Sequence, residues 1–287
     1  NLISKQQSLY HLLELKPNLK MLKDFFAISP NDYWKTHFKF DVKAEEAIRA
    51  AANVNKEGTQ GIMQATAKRY KRYTELLAAN DIDAVIIATP DHWHTPGAIL
   101  AMKGGKHVYL EKPCSHNPYE NELLVEAQKK YGKKVQMGNQ QRSAKTSISA
   151  IKDIREGIIG DVYKGEAYYS NNRGSIGKGK IIDVPSTLNW ELWQGPAPRE
   201  SYKDNIHPYN WHWFRTWGTG EVHNNGTHEI DICRWALGVD LPETVTSFGG
   251  KYTFQDDWEF VDNQQVTYTF ADNKFLTWTG HSRGMMK

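Results

Sequence analysis

Lys112 has the neighbours that most favour chemistry in this chain. It stands between the carboxylate of Glu111 and the rigid ring of Pro113, directly after the apolar stretch 107–110. A lysine amine can take up a proton, and its protonated form can stabilise a negative charge that develops on a nearby oxygen. Because a Glu-Lys-Pro tripeptide is by itself most often a surface turn, the prediction of a site depends on the surrounding elements.

Three predicted strands end in polar residues. The stretch 82–88 is an almost continuous β-branched run, typical of a strand buried on both faces, and it leads into the string TPDHWH at 89–94. The second strand leads into the Glu-Lys-Pro turn, and the third, over 134–137, leads into GNQQR at 138–142. Since open parallel sheets bind ligands at the carboxyl ends of their strands, one crevice can collect all three polar segments.

Helices are predicted between these strands. One covers 97–103, with Thr95 as its N-cap, Pro96 at its first position and a Gly-Gly pair at its end, and another covers about 119–131. The repeated β-α-β order predicts a parallel sheet with right-handed crossovers, so this half of the chain is predicted to be α/β.

The second half changes to strands that follow one another without crossover helices. A hairpin turn is predicted at Asp272-Asn273. The strands are predicted over 162–170, 244–254, 265–270 and 274–281. This half is therefore predicted to be α+β with an open, mostly antiparallel sheet. Four strands are few for such a sheet, and the last one ends close to Lys287, so a truncated C-terminus is expected.

A loop that leads into a helix is predicted over 224–238. Gly238 fits the end of this helix, and His228 falls in its first turn, on a different face from the apolar stripe. That stripe consists of Ile230, Cys233, Ala236 and Leu237. A lone histidine in such a place is usually structural.

Four strings in this chain resemble the Gfo/Idh/MocA oxidoreductases, in the order in which that family has them. They are ATPDHWH (88–94), GKHVYLEKP (105–113), QMGNQQR (136–142) and GTHEIDICRWALG (226–238). The resemblance implies a Rossmann dinucleotide-binding domain, which we place at residues 1–145, and an α+β substrate and oligomerisation domain at 146–287. It also implies hydride transfer between a nicotinamide cofactor and a hydroxyl carbon of a sugar or sugar derivative.

The resemblance also assigns catalytic residues. It implies that Lys112 and His228 face each other across the substrate as an acid/base pair, with Asn224 orienting the imidazole. The family pattern has an acid four residues before this histidine, where this chain has Asn224. A neutral amide can orient the ring but cannot raise its basicity as a carboxylate would.

Most binding residues follow from the same resemblance. Asp41 would hold the adenosine ribose and favour NAD over NADP, because a carboxylate repels a 2′-phosphate. The cofactor would be bound by Asp41, Thr89, Pro90, His94, Glu111, Lys112 and Asn139. The residues that we expect to bind the substrate are Arg142, Arg173, Trp211, His212 and His228; Trp211 and His212 are chosen for their residue types and not from the resemblance.

Tryptophan is concentrated in one part of the chain, since five of the ten residues fall between positions 190 and 217. Core packing accounts for most of them. The segment 207–213, His-Pro-Tyr-Asn-Trp-His-Trp, is too mixed for a core strand, however, and flat rings beside imidazoles and an amide suit a ligand with many hydroxyl groups. Core packing and a substrate wall are both open for this segment.

The first 40 residues do not match the start of a dinucleotide-binding domain. Apolar residues at helical spacing are interrupted by Pro17 and Pro30, and no G-x-G-x-x-G motif occurs before Asp41. Residues 38–42 resemble the family's second strand. Three explanations are open: the printed chain omits a segment, its N-terminus has diverged or been displaced, or dinucleotide binding has been lost. The start at Asn1 favours the first.

Composition argues against several other classes. A net charge of +3 is too small and too dispersed to predict nucleic-acid binding, and no apolar run of about 18 residues predicts a membrane span. The two cysteines and the histidines at 207–228 match no metal-ligand spacing, so no metal is expected. A cytoplasmic protein is expected, or an exported one if a signal peptide has been removed.

Three functions are compatible with these observations. The first is the nicotinamide-dependent oxidoreductase acting on a carbohydrate. The second is an NAD-retaining glycosidase or lyase that works by transient oxidation and elimination, and the third is a non-catalytic carbohydrate-binding relic that lacks the glycine loop. Net formation of NADH distinguishes the first from the second, and NAD titration tests the third.

The last expectation concerns assembly. The strand 274–281 has apolar groups on both faces, and one face is left for a partner if the domain's helices cover the other. The sequence therefore predicts a homodimer or homotetramer, with Trp278 or its strand neighbours near the subunit contact.

Overall fold

The structure is a computed structural model, and it describes residue 70 and residues 72–284. Three parallel strands form the first sheet, in the order β1 (Ala84–Ile87), β2 (His107–Glu111) and β3 (Val135–Gly138). The predicted α/β class is confirmed for this half. The predictions for Asp41, for the apolar N-terminal stretch and for the missing glycine loop lie outside the described residues.

Helices cover this sheet, and the hydrophobic core lies between them and the strands. They are α1 (Tyr73–Leu77), α2 (Asp91–Lys103) and α3 (Pro118–Tyr131). Apolar side chains from α2 and α3 pack against alternate side chains of β1 and β2, all at most 8% exposed. The core includes Val85, Ile87, Ile99, Met102, Val108, Leu110, Leu123 and Leu124.

Helix α2 begins earlier than the sequence predicted. Its N-cap is Pro90 and its first residue is Asp91, so the prediction of Thr95 as N-cap and Pro96 at the first position was wrong. Pro96 lies inside the helix, where its ring removes one backbone hydrogen bond. The hydroxyl of Thr95 donates to the Cys114 carbonyl instead, at 3.0 Å, and so holds the helix against the turn that follows β2.

The second sheet is mixed, and two of its three pairings are antiparallel. Its order is β4-β7-β6-β5; the pairs β7-β6 and β6-β5 are antiparallel, and β4 runs parallel to β7. The strands are β4 (Lys164–Ser170), β5 (Thr244–Gly250), β6 (Asn263–Thr269) and β7 (Phe275–His281). The predicted hairpin turn is confirmed, because Asp272 and Asn273 have φ values of 62° and 56°.

Three more helices precede or cover this sheet: α4 (Lys145–Arg155), α6 (Gly220–Asn224) and α7 (Gly226–Leu237). Helix α7 lies on the face of the sheet that carries Ala167, Val266 and Trp278. It ends at Gly238, whose φ of 64° is the left-handed conformation that glycine adopts readily.

Trp278 does not lie at a surface available to a second subunit. The predicted subunit contact at its strand neighbours stays a prediction. Trp278 itself is completely buried under α7. The reason is the period of two along a strand, which places Leu276 and Trp278 on the covered face. Thr277 and Thr279 point to the other face.

The part between β4 and α6 contains the clustered tryptophans. We call residues 188–217 the aromatic segment; it includes α5 (Trp190–Gln194) and a 3₁₀ turn (Asn210–Trp213). Trp190, Trp211, Trp213 and Trp217 are all buried, at most 9% exposed. Core packing accounts for Trp190, Trp213 and Trp217, whereas Trp211 also borders a cavity.

Candidate functional site

A cavity of about 210 Å³ lies at the carboxyl ends of β1 and β2. Its walls come from the start of α2, the turn after β2, the aromatic segment and α6. The residues that line it are Ala88, Thr89, Asp91, His94, Glu111, Lys112, Trp211, His212 and Asn224. The structure therefore brings together Thr89, His94, Glu111, Lys112, His212, Trp211 and Asn224 of the predicted site.

Lys112 is held by both oxygens of one residue. Its Nζ donates to the Asn224 side-chain Oδ1 at 2.7 Å and to the Asn224 backbone carbonyl at 2.6 Å. Burial lowers the pKa of Lys112, and the carboxylates of Asp91, Glu111, Glu221 and Glu229 oppose this shift. A lysine with a lowered pKa is neutral in a larger fraction of molecules near neutral pH, so it can take up a proton.

Asp91 is a cavity residue that the sequence reasoning missed. It is 3% exposed and occupies the first turn of α2, where the Thr219 hydroxyl donates to its Oδ2 at 2.7 Å. Burial raises the pKa of Asp91 to about 6, against the effects of the Thr219 hydrogen bond, His94 and Lys112. The available signal was its position, an acid directly after Thr89-Pro90 at a strand end.

The neighbours of Asp91 attach the aromatic segment to the first sheet. The His92 Nε2 lies 2.8 Å from the carbonyl of Trp193, and the Trp93 Nε1 donates to the carbonyl of Leu192 at 3.1 Å. Gly195 packs so closely that a Cβ there would overlap the Trp93 ring. The aromatic segment forms one wall of the cavity, and these contacts hold that wall next to the ends of the strands.

His94 contacts backbone with both ring nitrogens. Nδ1 lies 2.5 Å from the carbonyl of Pro113 and Nε2 lies 2.7 Å from the carbonyl of Thr89. Both carbonyls are hydrogen-bond acceptors. Since Thr89 follows β1 and Pro113 follows β2, the ring joins the ends of the two strands. The predicted contact of His94 with a cofactor stays a prediction, and Pro90, predicted beside it, is the N-cap of α2.

His212 is fixed in one orientation. Its Nδ1 lies 2.7 Å from the Tyr209 carbonyl, and its ring stacks on Trp211 with centroids 3.6 Å apart. Burial lowers the pKa of His212 to about 4, helped by the charges of Lys112 and Arg173 and opposed by the Tyr209 hydrogen bond. The ring is therefore neutral at physiological pH, with hydrogen on Nδ1 and a lone pair on Nε2.

His228 lies in the first turn of α7, as predicted, but it is not among the cavity-lining residues. Burial and then the charge of Lys112 lower its pKa, against the effects of Glu111 and Asp231. Its Nδ1 is buried and has no hydrogen-bond partner within the described part of the chain. Asn224, which the resemblance assigns to this imidazole, contacts Lys112 instead.

The two arginines predicted to bind substrate have protein partners. Arg142 forms a two-pronged pair with Asp231, at 2.6 and 2.7 Å, and stacks on the Trp235 ring. Arg173 donates to the buried carboxylate of Glu221 at 3.3 Å and also to Tyr169 and Tyr209. Substrate binding by either arginine stays a prediction.

The ends of β2 and β3 meet through side chains. The Gln140 amide donates to both carboxylate oxygens of Glu111, at 3.2 and 3.0 Å. The Oδ1 of Asn139, next in the chain, is buried and receives no hydrogen bond from the described residues. An unsatisfied buried oxygen at a strand end fits a ligand that brings a donor.

The described residues contain neither a candidate metal site nor a candidate membrane-spanning helix. No group of three histidine, cysteine, aspartate or glutamate side chains among them could hold a metal ion. Within the same ranges, no helix has the length and apolarity needed to cross a bilayer.

Comparison with known proteins extends these observations. Residues 32–139 match the Gfo/Idh/MocA family model, described as an oxidoreductase family with an NAD-binding Rossmann fold. A relative, glycosyl hydrolase family 109 protein 1 of Shewanella sp. (strain ANA-3), is 36% identical over 97 residues, which are 34% of this chain and 21% of that protein. The match therefore covers about a fifth of the relative's length.

Solved structures share the fold. An NAD-binding protein from Listeria innocua has a TM-score of 0.60 at 20% identity, over 82% of this chain and 59% of that one. The WlbA dehydrogenase from Bordetella pertussis, solved with NADH and UDP-GlcNAcA, also has a TM-score of 0.60 at 20% identity, over 81% of this chain and 63% of that one. This chain thus spans less than two thirds of either protein. The chain is thus similar to the Gfo/Idh/MocA oxidoreductases over residues 32–139, and it shares the fold of these solved structures.

Proposed function

We propose that this protein is an NAD-dependent oxidoreductase that transfers hydride to or from a hydroxyl carbon of a sugar or sugar derivative. The observation that carries the proposal is the position of Lys112, whose amine borders the cavity at the carboxyl ends of β1 and β2. Open parallel sheets bind their ligands at this edge.

The described residues fit the nicotinamide end of a dinucleotide. Thr89, Glu111 and Lys112 border the cavity, and the buried, unsatisfied Oδ1 of Asn139 follows the next strand. We propose these residues, with Pro90 and His94, as the cofactor contacts, and Asp41 as the ribose contact that favours NAD over NADP. When bound, an oxidised nicotinamide accepts the hydrogen and the two electrons of a C–H bond as hydride.

Lys112 is the proposed acid/base. In the neutral amine, the two N–H groups donate to the two Asn224 oxygens, and the lone pair is left for the substrate. It takes the hydroxyl proton as the carbonyl forms, and the ammonium then has a third N–H for the carbonyl oxygen. In the reverse direction the same proton returns to the oxygen. General acid/base catalysis of this kind is worth about 10²–10⁴-fold.

The test is Lys112→Met, which keeps the length of the side chain and removes the amine. We expect turnover to fall by at least about 100-fold, with an unchanged circular dichroism spectrum and unfolding midpoint. Lys103→Met, an exposed lysine at the end of α2, is the matched control and should retain full activity. Near-normal turnover by Lys112→Met would reject the proposal.

A second candidate is redox-neutral removal of a glycosidic substituent. The observation that favours it is the similarity to the glycosyl hydrolase family 109 protein. In such chemistry the substrate is oxidised transiently, a proton beside the new carbonyl is removed as the substituent leaves, water adds to the resulting double bond, and hydride returns to the carbonyl carbon. The amount of NADH formed per molecule of product distinguishes the two functions. One NADH per product supports the dehydrogenase, and a released sugar without net NADH supports the glycosidase.

A further inference from the structure

We infer that His212 determines substrate specificity: its Nε2 accepts a hydrogen bond from a second donor group of the substrate, a hydroxyl next to the one that reacts. This inference rests on the proposed function. It makes the substrate a compound with neighbouring hydroxyl groups and excludes a simple alcohol.

The His212 imidazole carries its hydrogen on Nδ1. The Tyr209 carbonyl can only accept, so the contact of 2.7 Å requires hydrogen on Nδ1 of His212. In the neutral ring Nε2 is then an acceptor. Burial disfavours a second proton on this ring, and the positive charges of Arg173 and of Lys112, when it is protonated, add to this effect. His212 is therefore an acceptor over the physiological pH range.

Neighbouring rings and the Nδ1 contact hold the His212 ring in one orientation. His212 packs against two neighbours, with centroids 3.6 Å from Trp211 and 4.4 Å from Tyr209. Together with the Nδ1 contact, these rings prevent the imidazole from flipping by 180° about its bond to Cβ. The aromatic segment that carries it is joined to α2 by His92 and Trp93, so the acceptor is held in place before a substrate binds.

One hydroxyl group cannot donate to Lys112 and to His212 at the same time. His212 and Lys112 border the same cavity, and a hydroxyl has one hydrogen to donate. If the reacting hydroxyl gives its hydrogen to the Lys112 lone pair, it has none left for His212. Pairing the Nε2 of His212 within the same complex then takes a second donor of the same molecule, and in a sugar an adjacent hydroxyl is such a donor.

The experiment has a spectroscopic and a binding part. Long-range ¹H–¹⁵N spectra of wild type and His212→Phe identify the His212 ring, and we expect hydrogen on Nδ1 and none on Nε2 at pH 7. Binding is measured by calorimetry on the Lys112→Met protein, so that turnover does not interfere. The probes are D-glucose, D-galactose and the monodeoxy forms of each.

We expect one monodeoxy form to bind about tenfold or more weakly than its parent, because it leaves the His212 acceptor unpaired. In His212→Phe, which keeps the ring stack, the parent and this deoxy form should bind equally. His212→Gln, which restores an acceptor, should recover part of the discrimination.

Hydrogen on Nε2, equal affinity for parents and all deoxy forms, or no binding of any probe would overturn the assignment of His212. Discrimination that persists in His212→Phe would overturn it too. If binding discriminates as expected but wild type oxidises none of the sugars, the proposed function fails while the binding role of His212 stands.

Discussion

Lys112 and Asn224 are 112 positions apart in the chain, yet the Nζ of Lys112 lies 2.7 Å from Asn224 Oδ1 and 2.6 Å from the Asn224 carbonyl. The family pattern has an acid at the position of Asn224. A neutral amide holds the amine without adding a negative charge, so it does not oppose the effect of burial on the pKa of Lys112.

Asn224→Asp tests this relationship. The new carboxylate should raise the pKa of Lys112, because a nearby negative charge favours the ammonium. Fewer molecules then hold the neutral amine at pH 7, so kcat/KM should fall there and recover as the pH rises. Rates measured from pH 6 to pH 10 check this shift. Asn224→Ala should lower the rate without an alkaline shift, and an Asp variant whose profile overlays the wild type would contradict the argument.

Asp91→Asn should have the opposite effect and lower the pKa of Lys112. Among the charges that oppose the lowered pKa of Lys112, that of Asp91 has the largest effect, and removing it should lower that pKa further. The rise of kcat/KM with pH should therefore move to lower pH. Because the pKa of Asp91 is itself about 6, wild type should lose this stabilising charge below pH 6. The ¹⁵N shift of the Lys112 amine follows the titration directly, and an unchanged midpoint in Asp91→Asn would refute the coupling.

The buried ion pair of Asp256 and Arg283 should make stability depend on pH. Both are at most 5% exposed, and Arg283 donates to both carboxylate oxygens of Asp256. Burial alone would raise the pKa of Asp256, but the hydrogen bonds from Arg283, the Ile176 amide, Lys251 and Ser175 outweigh it and hold the pKa well below its usual value.

For a carboxyl with a lowered pKa, the stabilisation is complete above the unfolded value of about 3.9 and is lost as the pH falls through the folded value. Asp256→Asn should cost about 3–5 kcal/mol at pH 7, because it leaves Arg283 as an unpaired buried charge. Urea unfolding measures this loss. Asp272→Asn in the exposed hairpin turn is the control and should change stability by no more than about 0.5 kcal/mol.

Gly195→Ala should detach the aromatic segment from α2, because a Cβ at Gly195 would overlap the Trp93 ring. Gly177→Ala is a close control, since Gly177 also has a positive φ, 69° against 49°, but has no atom within 4 Å of its Cβ position. We expect the Trp93 indole N–H to lose protection from hydrogen exchange in the first variant only, and activity to fall with it. Equal effects in both variants would assign the change to backbone strain.

The open face of the second sheet is the surface where we expect a second subunit. Thr277 and Thr279 of β7 lie on this face, and Phe248 on the edge strand β5 is 70% exposed. Light scattering should give a homodimer or homotetramer. Thr279→Arg should dissociate it, because a symmetric contact brings two such charges together. Ser149→Arg on α4 is the control, and a wild-type monomer at micromolar concentration would refute the expectation.

The sequence by itself determined the local elements and where the polar strand ends fall. The strands, the Asp272-Asn273 turn and the end of α7 at Gly238 depend on residue types within a few positions, so their prediction needed no contacts from elsewhere. The start of α2 could not be predicted in this way. Thr and Pro are residue types that commonly begin a helix, but the Thr95 hydroxyl donates a hydrogen bond to the distant Cys114 carbonyl instead of capping the helix.

Only the tertiary structure decided which side chains meet. The contacts of Lys112 with Asn224, of Arg142 with Asp231 and of Asp91 with Thr219 join positions 112, 89 and 128 residues apart. Each depends on how α6, α7 and the aromatic segment pack against the first sheet. Residue type indicates that a lysine or an aspartate can do chemistry, but its pKa is set by burial and by neighbouring charges, and both of these arise only when distant parts of the chain pack together.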